Sequence, residues 1–226
     1  MNSILKTALF LFSLIFFLVA CEKQEGEGEG EMNEKNSFDT PEEAVAKAKS
    51  DLIQVLETSK DLDLGIDVEK LRNATQVRMV QYVDVDFGKL LTTENVQSLS
   101  DISSAPKSMV APFALQSNVV GVVEVREERS KWKVSGLGNK PLTEDFNMAG
   151  IANNNEAAVT VYEVPNLQIF VYGVRMGGAE TYHVNFGEYT LKDTVSIQAF
   201  YPLLRENSIQ FQKEFGDILK KQQLVK

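Results

Sequence analysis

Few residues in this 226-residue chain could carry chemistry, and most of them fail on spacing. Ser104-Ala105-Pro106-Lys107 has the spacing by which a helical turn brings a lysine amine to a serine hydroxyl. Pro106 keeps Ala105 out of a helix, so the pair reads as a loop before a strand. Asp86-Phe87-Gly88 spells a metal-binding triplet of phosphoryl transfer, but no His-Arg-Asp and no glycine-rich phosphate loop accompany it. Phe87 therefore reads as core and Gly88 as a strand end. Gly136 and Gly138 start a dinucleotide fingerprint that Pro141 breaks at its third glycine position. Asp61, Asp63, Gly65 and Asp67 crowd acid into one loop. An EF-hand beginning at Asp61 would need Gly and Glu where Ile66 and Arg72 stand. A solvated loop is the expectation there, with an irregular calcium site as the alternative. The one imidazole, His183, alternates with Tyr182, Val184 and Phe186, which puts it on the polar face of a strand with Thr181 and Asn185.

Composition narrows the classes further. The chain has 32 acidic and 23 basic residues, a net charge of −9, and so lacks the clustered cations that nucleic acid requires. A single cysteine excludes an intrachain disulfide and any cysteine-cluster metal site. No cofactor or metal site is expected, and no catalytic constellation assembles in the sequence. A hydrolase working through a carboxylate pair is the enzyme alternative, because 32 acids can meet in space without any sequence signature.

The elements that would position these residues read as an α+β fold. Thr40-Pro41-Glu42-Glu43 starts a helix, with Thr40 as cap, Pro41 in the first turn and Glu43 closing a capping box. Val45, Ala48, Leu52, Val55 and Leu56 give it one apolar stripe to about residue 60. Val77, Met79, Val83, Val85 and Phe87 form one face of a strand over 75–87, with Gln81 as a polar exception. Residues 92–106 read as a serine-rich loop. Val119–Arg126 and Lys131–Leu137 form a hairpin; a turn over Glu127–Ser130 sets Val125 against Trp132 and Glu124 against Lys133, making Trp132 a core residue. Residues 138–155, rich in Gly, Asn and Pro, mark a boundary between two possible lobes, 37–148 and 156–226. Ala157–Val164, Leu167–Val174 and Glu180–Phe186 are further strands. A last helix starts near Pro202 on the stripe Leu204, Phe211, Phe215 and Ile218. The expected architecture is an antiparallel sheet flanked by an N-terminal and a C-terminal helix.

The first twenty residues carry one charge, Lys6, and the apolar run ALFLFSLIFFLVA, too short to span a bilayer. The run ends Leu18-Val19-Ala20-Cys21, which resembles the lipobox of bacterial lipoproteins. That resemblance implies a signal peptide over 1–20, a lipid on Cys21 and a membrane attachment. Residues 21–36 then form an acidic Gly/Glu tether that cannot fold and would hold the body about 20 Å from the membrane. The tether also resembles the acidic tracts that direct lipoproteins to the cell surface in Bacteroidetes. Asp193-Thr194-Val195 is similar to the short O-glycosylation site of the same group.

The stretch from Pro41-Glu42-Glu43-Ala44 to Trp132-Lys133-Val134 resembles the small cystatin-like domains of secreted bacterial proteins. That implies one helix packed across a curved antiparallel sheet in the first half. Ten of the sixteen aromatics beyond residue 20 fall in residues 156–226, so Tyr162, Tyr172, Tyr182 and Tyr189 are candidate ligand-facing aromatics. Core packing is their other reading. Together these features describe a non-enzymatic, lipid-anchored envelope protein that binds or scaffolds an unknown protein or glycan. It would be held to the outer membrane through Cys21, facing the periplasm or the exterior. A hydrolase or a proteinaceous inhibitor is the alternative.

Overall fold

In this computed structural model, residues 37–59, 61, 64–106, 108–151 and 157–223 are described. The signal segment, Cys21, the tether, Asp63 and Lys107 lie outside them. Five helices and eight strands follow in the order α1 (Pro41–Thr58), α2 (Val68–Asn73), β1 (Thr75–Gln76), β2 (Val80–Asp84) and α3 (Phe87–Thr92). Then come β3 (Ser108–Leu115), β4 (Asn118–Glu128), β5 (Lys131–Leu137), α4 (Lys140–Met148), β6 (Ala158–Val164), β7 (Ile169–Met176), β8 (Ala179–Val184) and α5 (Ile197–Gln223). The fold is α+β. One sheet runs β5-β4-β3-β2-β6-β7-β8, with β1 added against β3. Every pairing is antiparallel except β2 with β6, where Tyr82 lies beside Val161 and Val83 beside Tyr162. The halves 37–148 and 156–226 thus share a single sheet, joined at that parallel seam.

The pleat sorts side chains onto two faces. On one face α1 buries Ala44, Val45, Ala48 and Leu52 against Ala111, Phe113, Val123 and Val125. At the other end of that same face, α5 buries Phe200, Tyr201 and Leu204 against Tyr162, Val171, Tyr182 and Val184. The opposite face is covered by α4, whose Leu142 and Phe146 pack on Val110, Val122, Val161 and Tyr172.

Local chemistry explains where these elements start. Thr40 accepts from the Glu43 amide at 3.3 Å, while the Glu43 carboxylate reaches one residue past the expected position, to the Asp39 amide at 3.2 Å. The strand expected over 75–87 is broken into β1 and β2, and Asp86 ends it by capping α3 through the Lys89 amide at 3.0 Å. Residues 138–155 are not a bare boundary. Asn139 caps α4 there, Pro141 sits in its first turn, and the pair Leu142 and Phe146 gives it one apolar stripe. Helix α5 begins at Ile197, five residues before Pro202. Pro202 costs that helix one backbone bond, about 3 kcal/mol, but burying Ile197, Phe200, Tyr201 and Leu204 returns about 1.5–3 kcal/mol each. Its later stripe is less covered: Phe211 meets Phe87 edge-on at 5.9 Å, whereas Phe215 and Ile218 are exposed.

The β4–β5 hairpin also turns more tightly than its residues suggest. Arg129 and Ser130 both take positive φ, 52° and 62°, and make a two-residue turn. The register follows: Trp132 faces Glu127, Lys133 faces Arg126 and Val125 faces Val134, with Ser135 bulged. Trp132 is therefore half-buried at the sheet edge, bridged to Phe38, and is not a core residue. Phe146→Ala should cost about 3–5 kcal/mol in a denaturant titration. Trp132→Ala should cost clearly less, although it removes the larger side chain. The reverse order would contradict this placement.

Candidate functional site

Helix α1 packs on β4 and β5, and α5 packs towards β8 and the Tyr162 end of the seam, so the stretch of β2 and β6 around Gln81 and Thr160 lies outside both helical clusters. What roofs them is the serine-rich segment after α3. Ser98 and Asp101 form a capping box around the 3-10 turn Leu99–Ile102, whose Leu99 and Ile102 are buried. The Ser104 amide then donates to the Asp84 carbonyl at 2.9 Å, tying the segment to the end of β2. Beneath it lies a cavity of about 420 Å³. Its floor is Met79, Gln81 and Val83 from the β2 side, with Ala158, Thr160 and Tyr162 from β6. Arg78, Arg175 and Glu180 stand at its sides, and Ser100, Ser103, Ser104 and Pro106 form the roof.

The side of the cavity is set by a buried carboxylate. Glu180 is only 7% exposed at its side chain. It accepts from the hydroxyls of Ser98, Tyr182 at 2.7 Å and Tyr162 at 3.1 Å, and Arg175 Nη2 stands 3.6 Å away. Tyr182 in turn accepts from the Leu99 amide at 3.1 Å, so the roof and the carboxylate share one network. The network needs a glycine beneath it. A Cβ on Gly173 would come within 2.7 Å of the Tyr162 ring and 2.8 Å of Glu180 Oε1. Burial, and then the Glu180 charge, push the Tyr162 hydroxyl from 10.0 up to about 12. Burial likewise holds Tyr182 well above the usual tyrosine range.

Polar pairs on the opposite face are separate. Tyr172 donates to Asp145 on α4, and Tyr82 to Glu163 on β6. Burial, reinforced by those carboxylates, raises both phenols strongly. Asp145 is itself raised by burial, which outweighs the Tyr172 hydrogen bond that lowers it. Asp84 and Glu163 are neighbours across the seam, but Glu163 is bound to Tyr82.

An open aromatic face is not what the tyrosines build. Tyr162, Tyr172 and Tyr182 are among the largest fully or nearly fully buried side chains, and Tyr189 packs half-buried beside α5's core. Each of the three buried rings faces a helix or the roof, and its hydroxyl is satisfied by a carboxylate rather than by solvent. Of the four, only Tyr162 also lines the cavity. His183 is half-buried, with Nδ1 donating to the Leu191 carbonyl at 3.0 Å. Asp67 caps α2 through the Lys70 amide at 3.0 Å. Asp193 holds the Thr190 amide and hydroxyl, both at 2.8 Å, and these hydrogen bonds lower its carboxyl; Thr194 beside it is exposed. The residues missed in sequence are Arg78, Thr160, Arg175 and Glu180. Gln81, the polar exception on an apolar strand face, was the one visible sign of the cavity floor.

No family model, no curated protein and no solved structure matches this chain, so the site must be read from its own geometry and the cystatin-like likeness adds nothing to it. In that geometry Glu180 is the only carboxylate among the described lining residues. Glycoside hydrolysis by a carboxylate pair needs two, about 5–10 Å apart across the bond to be broken. The lining offers guanidinium, hydroxyl and amide groups instead, which suits holding a polar molecule.

The tyrosine network predicts the alkaline behaviour. Tyr162 and Tyr182 have folded pKa values above those of the unfolded chain. Their contribution is complete below pH 10.0; that of Tyr162 is lost as pH rises through about 12, and that of Tyr182 at higher pH still. In an alkaline titration, phenolate absorbance from the buried rings should appear together with loss of far-ultraviolet circular dichroism. Ionisation of all six tyrosines near pH 10 with the fold intact would contradict the burial.

Proposed function

We propose that this chain is a lipid-anchored protein of the bacterial envelope whose folded body captures a small polar solute in the seam cavity. The observation that carries the reading is the cavity itself: about 420 Å³, polar on its sides and roof, and built on the two central strands of the sheet. A space of that size is within the range of small-molecule sites, about 300–1,000 Å³. The roof is anchored by buried Leu99 and Ile102, and its Ser100, Ser103 and Ser104 line the cavity, whose floor residues Gln81 and Ala158 are exposed, so a solute can enter without opening the sheet. For the anchor, support comes from Leu18-Val19-Ala20-Cys21 and the acidic tether behind it. Attachment is to the outer membrane, with the body periplasmic or surface-exposed. Among the described residues no helix is long and apolar enough to cross a membrane.

Two outcomes check this reading. Exposed Ala158 lines the cavity, so Ala158→Phe should fill it without disturbing the core. In a thermal-shift panel of sugars, sugar acids, amino acids and nucleotides, at least one compound should raise the melting temperature of the full chain but not of Ala158→Phe. No shift, or equal shifts in both, would sink the binding role. For the anchor, Cys21→Ser should release most of the mature protein from membrane fractions while leaving its melting temperature unchanged. Retention of the cleaved variant in the membrane would overturn the lipid attachment.

A further inference from the structure

The charge around the cavity opposes that of the whole molecule. The chain carries −9, yet the cavity wall presents Arg78 and Arg175 against the single carboxylate of Glu180. That carboxylate is already committed, with three hydroxyl donors and Arg175 around it. Glu180 therefore acts as a positioning residue for Arg175. Both arginines line the cavity near the start of β6. Arg175 is the cross-strand partner of Ala158, and Arg78 Nη1 donates to the Ala157 carbonyl at 3.1 Å. Between them Ala158 contributes only a methyl group, which leaves room. Each guanidinium offers five N–H donors. Arg78 directs one to Ala157, and the Arg175 side chain is 49% exposed.

The rest of the lining has a different chemistry. Gln81 and Thr160 on the floor and Ser100 and Ser104 in the roof supply amide and hydroxyl groups, while Met79 and Pro106 supply an apolar flank. Planar guanidiniums pair best with a planar carboxylate, and the nearby Glu180 disfavours a second negative charge on the same ligand. Hydroxyl and amide groups match hydroxyls. Resting on the cavity reading above, we infer that the site takes a sugar acid, a small polyhydroxylated monocarboxylate. Its carboxylate lies between Arg78 and Arg175, and its hydroxyls face Gln81, Thr160 and the roof serines.

Calorimetric titration of the full chain in detergent tests this with three probes: D-glucuronate, D-glucose and glucose 6-phosphate. Glucuronate should bind roughly ten- to hundredfold more tightly than glucose, the factor expected of charge-assisted hydrogen bonds. Arg78→Gln should remove most of that factor and leave glucose unaffected. Arg175→Gln should do the same, with melting temperatures confirming that each variant folds and Arg175→Lys restoring part of the preference. Ala158→Phe should abolish binding of glucuronate. Glucose binding as tightly as glucuronate, a glucuronate affinity unchanged in both arginine variants, or tighter binding of glucose 6-phosphate would overturn the ligand class. If no sugar acid of the panel shifts the full chain while a sugar, amino acid or nucleotide shifts it but not Ala158→Phe, the class falls and the cavity reading stands. If nothing shifts, both fall.

Discussion

The parallel pairing of β2 with β6 is the constraint on which the rest of the molecule depends. Parallel neighbours cannot be joined by a tight turn, so the chain must travel out and back between them. Here it does so through β3, β4, β5 and α4 before returning as β6. Each side of the seam is then an antiparallel meander with its own helix on the same face, α1 on one side and α5 on the other. Two helices standing over the two ends of a sheet leave its middle to be covered by something shorter. The Ser98–Pro106 segment takes that place, and the space under it is the cavity.

Burying a carboxylate beside that space needs compensation, since an isolated charge away from water is strongly disfavoured. Glu180 receives it from three hydroxyls on three separate elements: Ser98 in the roof, Tyr162 on β6 and Tyr182 on β8. The same contacts fix the height of the roof above the sheet. Gly173 is the steric condition for the arrangement, because any side chain there would displace both the ring and the carboxylate. Polar satisfaction and the shape of the cavity are thus set by one network.

How much of this was legible in the sequence depended on whether the signal was local. The Thr40-Pro41 start, the apolar stripe of α1 and the strands of the second half are written in adjacent residues and appear where expected. Proline and glycine misled where burial overrode them. Pro202 looked like a helix start but sits inside α5, and the Gly/Asn-rich stretch near residue 140 looked like a boundary but holds α4. Trp132 slipped because Arg129 and Ser130, residues with no strong preference for positive φ, make the turn. The site was hidden for a different reason. Tyr82 and Val161 are far apart in the chain, and nothing in either segment announces that they will be parallel neighbours. Without that pairing, Arg78, Thr160, Arg175 and Glu180 have no common location. Gln81 alone betrayed a face that was not meant to be sealed.

The bridge between Phe38 and Trp132 bears on how force enters the molecule. Phe38 and Trp132 exchange two backbone bonds of 2.8 Å, and Lys131 pairs with Asp39 beside them. A pull on Ser37 would therefore be received at the outer edge of β5, with β4 and β3 standing between that edge and β2. A pull applied there peels contacts one at a time from the rim. The seam lies three strands in from that edge, so fraying at Phe38 and Trp132 would leave the pairing of β2 with β6 in place.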